Sequence, residues 1–255
     1  MPRTKDDSAS RGGVQSVQRT FDVLEALAAG GPVGLSQLAT ESGLPLTTIH
    51  RLVRTLVDLG YVRQLPSKQY ALGPRLIYLG ESSSRLLGTW ARPHLTTLVD
   101  TLGETANLAM LDGDQVVYVA QVPSRHSMRM FTEVGRRVMA HCTAVGKALL
   151  AQLPESEVRE LVQRTGMPAR TEHTITSPAD LAGRLVQVRT KGFALDEGEQ
   201  EVGVRCVAVA VVGAPARIAL SISGPAPRMT DDLVGRAVPV LQDAAAALTR
   251  DLAAT

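Results

Sequence analysis

The chain is poor in several things that would define other classes of protein. It has only two cysteines, Cys142 and Cys206, too few for a disulfide framework or a structural zinc cage, so a reduced, cytoplasmic setting is expected. No stretch approaches 18 consecutive strongly apolar residues, so no membrane span and no membrane partner are expected. Residues 1–13 are polar and charged and lack an apolar core segment; they read as a disordered arm rather than a signal peptide. Internal repeats and low-complexity tracts are missing, and so is a metal-type spacing of His and Cys. No cofactor or metal is therefore expected.

The 255 residues suffice for two domains or one large one, and 44 % apolar with 20 % charged residues is ordinary for a globular protein. Net charge is only +2 but it is unevenly spread. Residues 1–75 hold nine Lys/Arg against six Asp/Glu, and the remainder 18 against 19. The small basic excess lies where nucleic-acid binding would need it.

That N-terminal part is organised around residues 44–62. Ile49, Leu52, Val53, Leu56 and Leu59 follow the spacing of one helical face, while Thr47, Thr48, His50, Arg51, Arg54 and Thr55 occupy the other. A shorter amphipathic helix over 34–42, with Ser36 as N-cap and Leu35, Leu38 and Ala39 inward, precedes it across a turn at Gly43. Pro45 suits the start of the longer helix. Helix, Gly turn and a helix with a basic outer face suit a helix-turn-helix entering the DNA major groove; a plain helical hairpin with a solvated face is the alternative. A first helix over 14–29 presents Val17, Phe21, Leu24 and Ala28 on one face. Two β-type runs flanking Pro66-Ser67-Lys68 make a hairpin, a wing whose tip residues Lys68 and Gln69 would reach DNA, or a surface hairpin that merely closes the domain.

The expected organisation is an arm (1–13), a winged helix-turn-helix domain (14–74), a linker helix (75–88) and an α+β domain (89–255). In the last, an amphipathic helix over 90–102 carries Leu95, Leu98, Val99 and Leu102. Strands follow over 105–111 and 115–121, joined by an Asp112-Gly113 turn, with a third over 127–133. Helices over 143–153, 154–166 and 178–191 precede strands over 205–212 and 217–223, and a helix over 230–252 closes the chain.

Three features of this domain point to a ligand. The helix opened by Thr143 begins Ala144-Val145-Gly146, and free N–H groups there suit an anion, although Thr143 as a simple cap and Lys147 as a surface lysine describe the stretch equally well. Alternation puts Ala219, Ser221 and Ser223 on one strand face and Cys206, Ala208 and Ala210 on one face of its predecessor, which leaves room for a small polar molecule or for a closely packed helix. Within the acidic run 196–203, Asp196 alone is expected to turn inward.

Taken together, the winged-helix pattern, Thr-Ala-x-Gly-Lys-Ala-Leu-Leu (143–150), Gly-x-Arg-Cys-Val-Ala (203–208) and Ser-Ile-Ser-Gly-Pro (221–225) resemble the IclR family of bacterial transcription regulators. The likeness covers nearly all of the chain after the arm. It implies an α+β effector domain similar to a GAF or PAS fold, with an antiparallel sheet, and homodimers or homotetramers on double-stranded palindromic operator DNA. Residues 103–109 and 127–130 further resemble the glyoxylate-responsive allantoin-utilisation repressors. That subtype implies glyoxylate held by Asp196, Cys206, Ser221 and Ser223 and by the main-chain N–H groups of Ala144 and Val145. Met139 stands where the family usually has Pro, and the 213–216 turn is short. The function so implied is a repressor released by a small carboxylate effector. Alternatives are a regulator answering a different or larger acid or an aromatic ligand, or, from another class, an enzyme using Cys206 or Ser221 as nucleophile, with His141 as base or metal ligand. Arg205, the basic residue nearest Cys206 in sequence, should point to the opposite face.

Overall fold

A computed structural model describes residues 14–87, 89–130 and 132–253, so the 1–13 arm and the end of the expected linker at Gly88 lie outside the described residues. The chain divides into two compact units, Met1–Ser83 and Ser84–Thr255.

In the first unit, α1 (Gln15–Gly30), α2 (Leu35–Ser42) and α3 (Leu46–Asp58) surround a core of Val23, Leu27, Val33, Leu38, Ile49, Val53, Leu56 and Val62. The inward face of α1 is carried by Val23 and Leu27; Val17 and Phe21 are 53 % and 60 % exposed. Of the expected stripe Leu24 packs half-buried against this core; apolar residues occur nearly all round the helix, so spacing alone does not single out Val23 and Leu27. The cap of α2 is Gly34, whose side chain offers nothing, and Ser36 lies inside the helix with its carbonyl accepting the Thr40 hydroxyl. Gly43 ends α2 in the left-handed region, at φ 65°, which a residue with a Cβ rarely adopts. Pro45 then directly precedes α3. Leu59, expected inside, is exposed at the C-cap.

Two short antiparallel strands, β1 (Val62–Gln64) and β2 (Tyr70–Leu72), form the wing. Val33 pairs with Tyr70 in an isolated antiparallel bridge, tying the wing to the start of α2. At its tip Lys68 holds a left-handed φ of 63°, and its N–H donates to the Leu65 carbonyl at 2.9 Å. Helix α4 (Arg75–Leu87) follows.

In the second unit a short 3-10 turn (Thr89–Ala91) leads into α5 (Arg92–Leu102). A six-stranded antiparallel sheet is built from β3 (Thr105–Asp112), β4 (Gln115–Val122), β5 (Arg137–Val138), β6 (Ala194–Glu197), β7 (Val204–Ala210) and β8 (Ile218–Pro225), in the order β5-β4-β3-β8-β7-β6. One face carries Leu108, Val207, Val209, Leu220 and Ile222 against α5 and the closing α9 (Asp231–Ala253). The other carries Ala109, Ala208 and Ala219 under α6 (Ala144–Leu150), with α7 (Glu155–Thr165) and α8 (Pro178–Lys191) packed outside it. Alanines on this face let α6 approach the sheet closely.

Several elements differ from expectation. The described residues of 127–133 form no strand; they make a loop in which the Met130 carbonyl accepts from Thr105 Oγ1 and that of Met128 from Arg228. The strand beside β4 is β5 instead, and the β3–β4 turn comprises Gly113 and Asp114, one residue later than expected. Helix α6 stops at Leu150, because Ala151 to Leu153 turn tightly and Arg189 takes the carbonyls of Ala151 and Leu153. Strand β6 was hidden in what reads as an acidic loop.

Candidate functional site

The candidate DNA-reading residues gather on the outside of the first unit. Thr47, His50, Arg51, Arg54 and Thr55 are exposed on α3 and Thr48 is half-buried, opposite the buried Ile49, Val53 and Leu56. Among the described residues Arg51 and Arg54 make no ion pair, and Lys68 and Gln69 are exposed at the wing tip. A stripe of exposed donors beside a hairpin tip suits phosphates and base edges, although the Thr55 hydroxyl is spent on the Arg51 carbonyl.

In the second unit the strand register brings the expected effector residues together. Asp196 on β6 faces Cys206 on β7, Cys206 faces Ser223 on β8, and Ser223 faces Thr105 on β3. One pleat along, Ala194, Ala208, Ser221, Asn107 and Gln121 form the next row. Both rows lie on the face beneath α6, which packs against β6, β7 and β8. The register shift after Leu108 keeps Gln121 and Tyr118 of β4 on this same face, opposite Asn107 and Ala109.

Most of this polar face is interior: Asp196 is 3 % exposed, Ser221 1 % and Ser223 4 %. Buried polar groups need partners, and the partners define the site. Asn107 Nδ2 donates to Ser221 Oγ (3.3 Å) and Ser223 Oγ (3.2 Å), and its Oδ1 accepts from Gln121 Nε2 (3.1 Å). Asp196 Oδ1 accepts the N–H of Glu199 at 2.7 Å and, at 3.5 Å, that of Gln200. The Cys142 thiol donates to Gln200 Oε1 at 2.9 Å.

Above the sheet, Thr143 both caps and frees the start of α6. Its hydroxyl takes the Gly146 N–H at 3.1 Å and its carbonyl the Lys147 N–H, so the cap reading holds. The first N–H groups of a helix have no intrahelical acceptor, and those of Ala144 and Val145 find none elsewhere among the described residues. Both residues are buried. Gly146 cannot be replaced cheaply, since a Cβ there would collide with the Ala140 carbonyl and come 2.6 Å from Thr143 Oγ1.

Lys147 is no surface lysine. It is fully buried and ion-paired with Glu199, whose Oε2 has no hydrogen-bond partner among the described residues. Burial pushes the Asp196 carboxyl up to about 6, against the opposing N–H bonds from Glu199 and Gln200 and the Lys147 charge. Burial likewise raises Cys142 to about 12 and Cys206 further, with Asp196 adding to both, so both stay thiols. Tyr118 is raised for the same reason.

A thiol held neutral is a poor nucleophile, and Arg205 is turned away to Glu197, Asp231 and the Met229 carbonyl. His141 is buried beside the Pro168 carbonyl with its pKa lowered by burial, and the described residues hold no metal-type cluster. Neither the enzyme reading nor a metal role for His141 gains a partner group.

Sequence reasoning did not assign Asn107, Gln121, Gln200 or Glu199 to the site. Asn107 was open to detection: it shares the face of Thr105 and Ala109 and stands in the middle of a mostly apolar strand. Met139 contributes its carbonyl, which accepts from Thr143 Oγ1 at 3.2 Å, a contact that a proline, lacking only the N–H, would also make.

Comparison with known proteins agrees with both units. Residues 16–66 match the family described as the IclR helix-turn-helix domain, and 82–250 match the bacterial transcriptional regulator IclR C-terminal family. The chain is 38 % identical over 231 residues to the transcriptional repressor IclR of Escherichia coli (strain K12), covering 88 % of this chain and 84 % of that protein. A putative transcriptional regulator from Rhodococcus sp. RHA1 superposes with TM-score 0.82 at 33 % identity, covering 95 % of this chain and 99 % of that one. An IclR homolog from Microbacterium hydrocarbonoxydans, complexed with 4-hydroxybenzoate, superposes with TM-score 0.81 at 26 % identity, covering 94 % and 100 % of the two chains.

Proposed function

The chain belongs to the IclR family of DNA-binding transcriptional regulators, and from that premise we propose that it is a repressor released from its operator by a small carboxylate, glyoxylate first, bound in the second unit. It is a regulator and not an enzyme.

The observation that carries the effector reading is the buried row Asp196–Cys206–Ser223 with Ser221 beside it, an island of polar groups in an alanine-lined face. The two hydroxyls and the carboxyl keep hydrogen-bonding capacity beyond the partners the protein gives them, and a small hydrated oxoacid uses it. Its carboxylate goes to Ser221, Ser223 and the N–H groups of Ala144 and Val145. Its geminal hydroxyls go to Asp196, since two carboxylates side by side repel. A larger or aromatic acid is the second reading, favoured by the 4-hydroxybenzoate in the Microbacterium structure.

DNA is read by Thr47, Thr48, His50, Arg51 and Arg54, with Lys68 and Gln69 on the wing. Two such heads in a homodimer or homotetramer meet a palindromic double-stranded operator, and the effector favours one spacing of the heads over another. The protein acts in the cytoplasm, where the DNA is.

A gel shift on the DNA upstream of its own gene, at fixed salt, titrated with glyoxylate and then with a panel of larger acids, tests this. Release by glyoxylate supports the first reading. Release only by a larger acid moves the assignment to the second, and binding to no candidate operator overturns the assignment of the α3 face.

A further inference from the structure

The two serines of the effector site are not symmetric hydrogen-bonding groups, and the reason lies in Asn107. A serine hydroxyl accepts at oxygen and donates one hydrogen, and which of these it offers a ligand depends on its neighbours. Asn107 has two amide hydrogens and spends both, one on Ser221 Oγ and one on Ser223 Oγ. Its own oxygen accepts from Gln121 Nε2, which fixes the amide with its NH2 toward the serines. Every hydrogen-bonding group of the Asn107 side chain is thereby used, in a residue that is fully buried. Cys206 faces Ser223 across the strand pair, and burial keeps its thiol protonated. Each serine oxygen thus accepts from the Asn107 amide, and among the described residues no oxygen accepts from either hydroxyl.

We propose that Asn107 is a specificity-determining residue of the effector site, which turns the hydroxyl hydrogens of Ser221 and Ser223 toward the ligand and so selects an anionic, acceptor-only group at that end. The inference rests on the effector reading above and deepens it: the ligand class is set by a residue that itself lies behind the serines. Gln121 is a positioning residue for it. Had the amide been turned the other way, both serines would donate to Asn107, and the same pocket would offer acceptors and prefer a ligand hydroxyl or ammonium group there. Charge-assisted bonds to a carboxylate are the stronger kind, so orientation of two hydroxyls has a large effect on selectivity.

The test compares glyoxylate with glycolaldehyde, which replaces the carboxylate by a neutral hydroxymethyl group, by isothermal titration on the full chain. Wild type is expected to bind glyoxylate at least tenfold more tightly. Asn107→Leu, close in size and uncharged, is expected to lower that ratio by tenfold or more. Gln121→Met, at a half-buried position, is expected to lower it several-fold and keeps the test open if Asn107→Leu does not fold. A general loss of packing would weaken both ligands alike and leave the ratio unchanged. Glyoxylate binding by wild type with an unchanged ratio in the folded variants overturns the role of Asn107 alone. A wild type that binds neither compound overturns the glyoxylate reading, and this inference with it.

Discussion

Lys147 and Glu199 form an ion pair in the interior of the effector unit, the lysine fully buried on α6 and the glutamate in the turn that follows β6. The turn carrying Glu199 also supplies the N–H that binds Asp196 and, through Gln200, the oxygen that binds the Cys142 thiol. One ion pair thus joins the helix above the candidate site to the strand end below it. Thr171 and Thr174 hold the same turn from outside through their hydroxyls, which donate to the carbonyls of Gly198 and Glu199 at 2.6 Å each.

Removing half of such a pair leaves an uncompensated interior charge. Lys147→Met is expected to destabilise the effector unit by roughly 3–5 kcal/mol. Adding Glu199→Gln is expected to restore a substantial part, because the orphaned carboxylate goes. Urea unfolding of the two variants checks this; a double variant no more stable than the single one contradicts it.

Asp196 links the site to pH. In an unfolded chain its carboxyl titrates near 3.8, and in the fold near 6, with burial the main cause. The folded state therefore binds more protons between these values, so the stabilisation is complete below pH 4 and lost as pH rises through 6. Asp196→Asn, neutral at every pH, is expected to be more stable than wild type by about 2–3 kcal/mol at pH 7.5, with the difference vanishing near pH 3.5. The same variant is expected to bind glyoxylate more weakly, a stability gain set against function. Equal urea midpoints at pH 7.5 would show that Asp196 is not strained by its burial.

Gly146 is held by space rather than by backbone conformation. Gly146→Ala drives a methyl group into the Ala140 carbonyl and Thr143 Oγ1, so the first turn of α6 must lift from its cap. A stability loss of about 1–3 kcal/mol is expected, with effector release of DNA impaired at temperatures where the variant remains folded. Gly183→Ala is the control: it lies mid-helix in α8 with open space around it. It is expected to be neutral or mildly stabilising in thermal unfolding.

What could be read in the sequence follows the strength of local patterning. The buried and exposed faces of α3 were legible because Ile49, Val53 and Leu56 leave one solution at helical spacing. The alternating face with Ser221 and Ser223 was legible for the same reason at period two. On α1, Val17, Phe21 and Leu24 fit a helical stripe as well as Val23 and Leu27 do, and only tertiary packing decides between them. Burial of Glu199 was invisible because its partner lies 52 residues earlier, and an acidic loop gives no sign that one of its carboxylates is matched inside. Strand β6 was missed because it is four residues long and ends in Asp196 and Glu197.

The two kinds of DNA contact assigned to the first unit should separate in salt and sequence dependence. Lys68 stands at a hairpin tip with a left-handed backbone and, among the described residues, no ion-pair partner, the geometry of a phosphate contact. Removing one such contact removes one released counterion, so Lys68→Ala is expected to weaken specific and nonspecific DNA alike and to flatten the slope of log K against log salt by about 1. Arg51 and Arg54 lie on the exposed face of α3, where a guanidinium reaches a guanine edge through two bonds. Arg51→Ala and Arg54→Ala are therefore expected to cost about 1–3 kcal/mol on the operator but much less on unrelated DNA, narrowing the ratio between them. Fluorescence anisotropy at several salt concentrations with both DNAs reads slope and ratio together. A flattened slope with an unchanged ratio for the α3 variants would move these arginines to the phosphates and leave sequence reading to Thr47, Thr48 and His50.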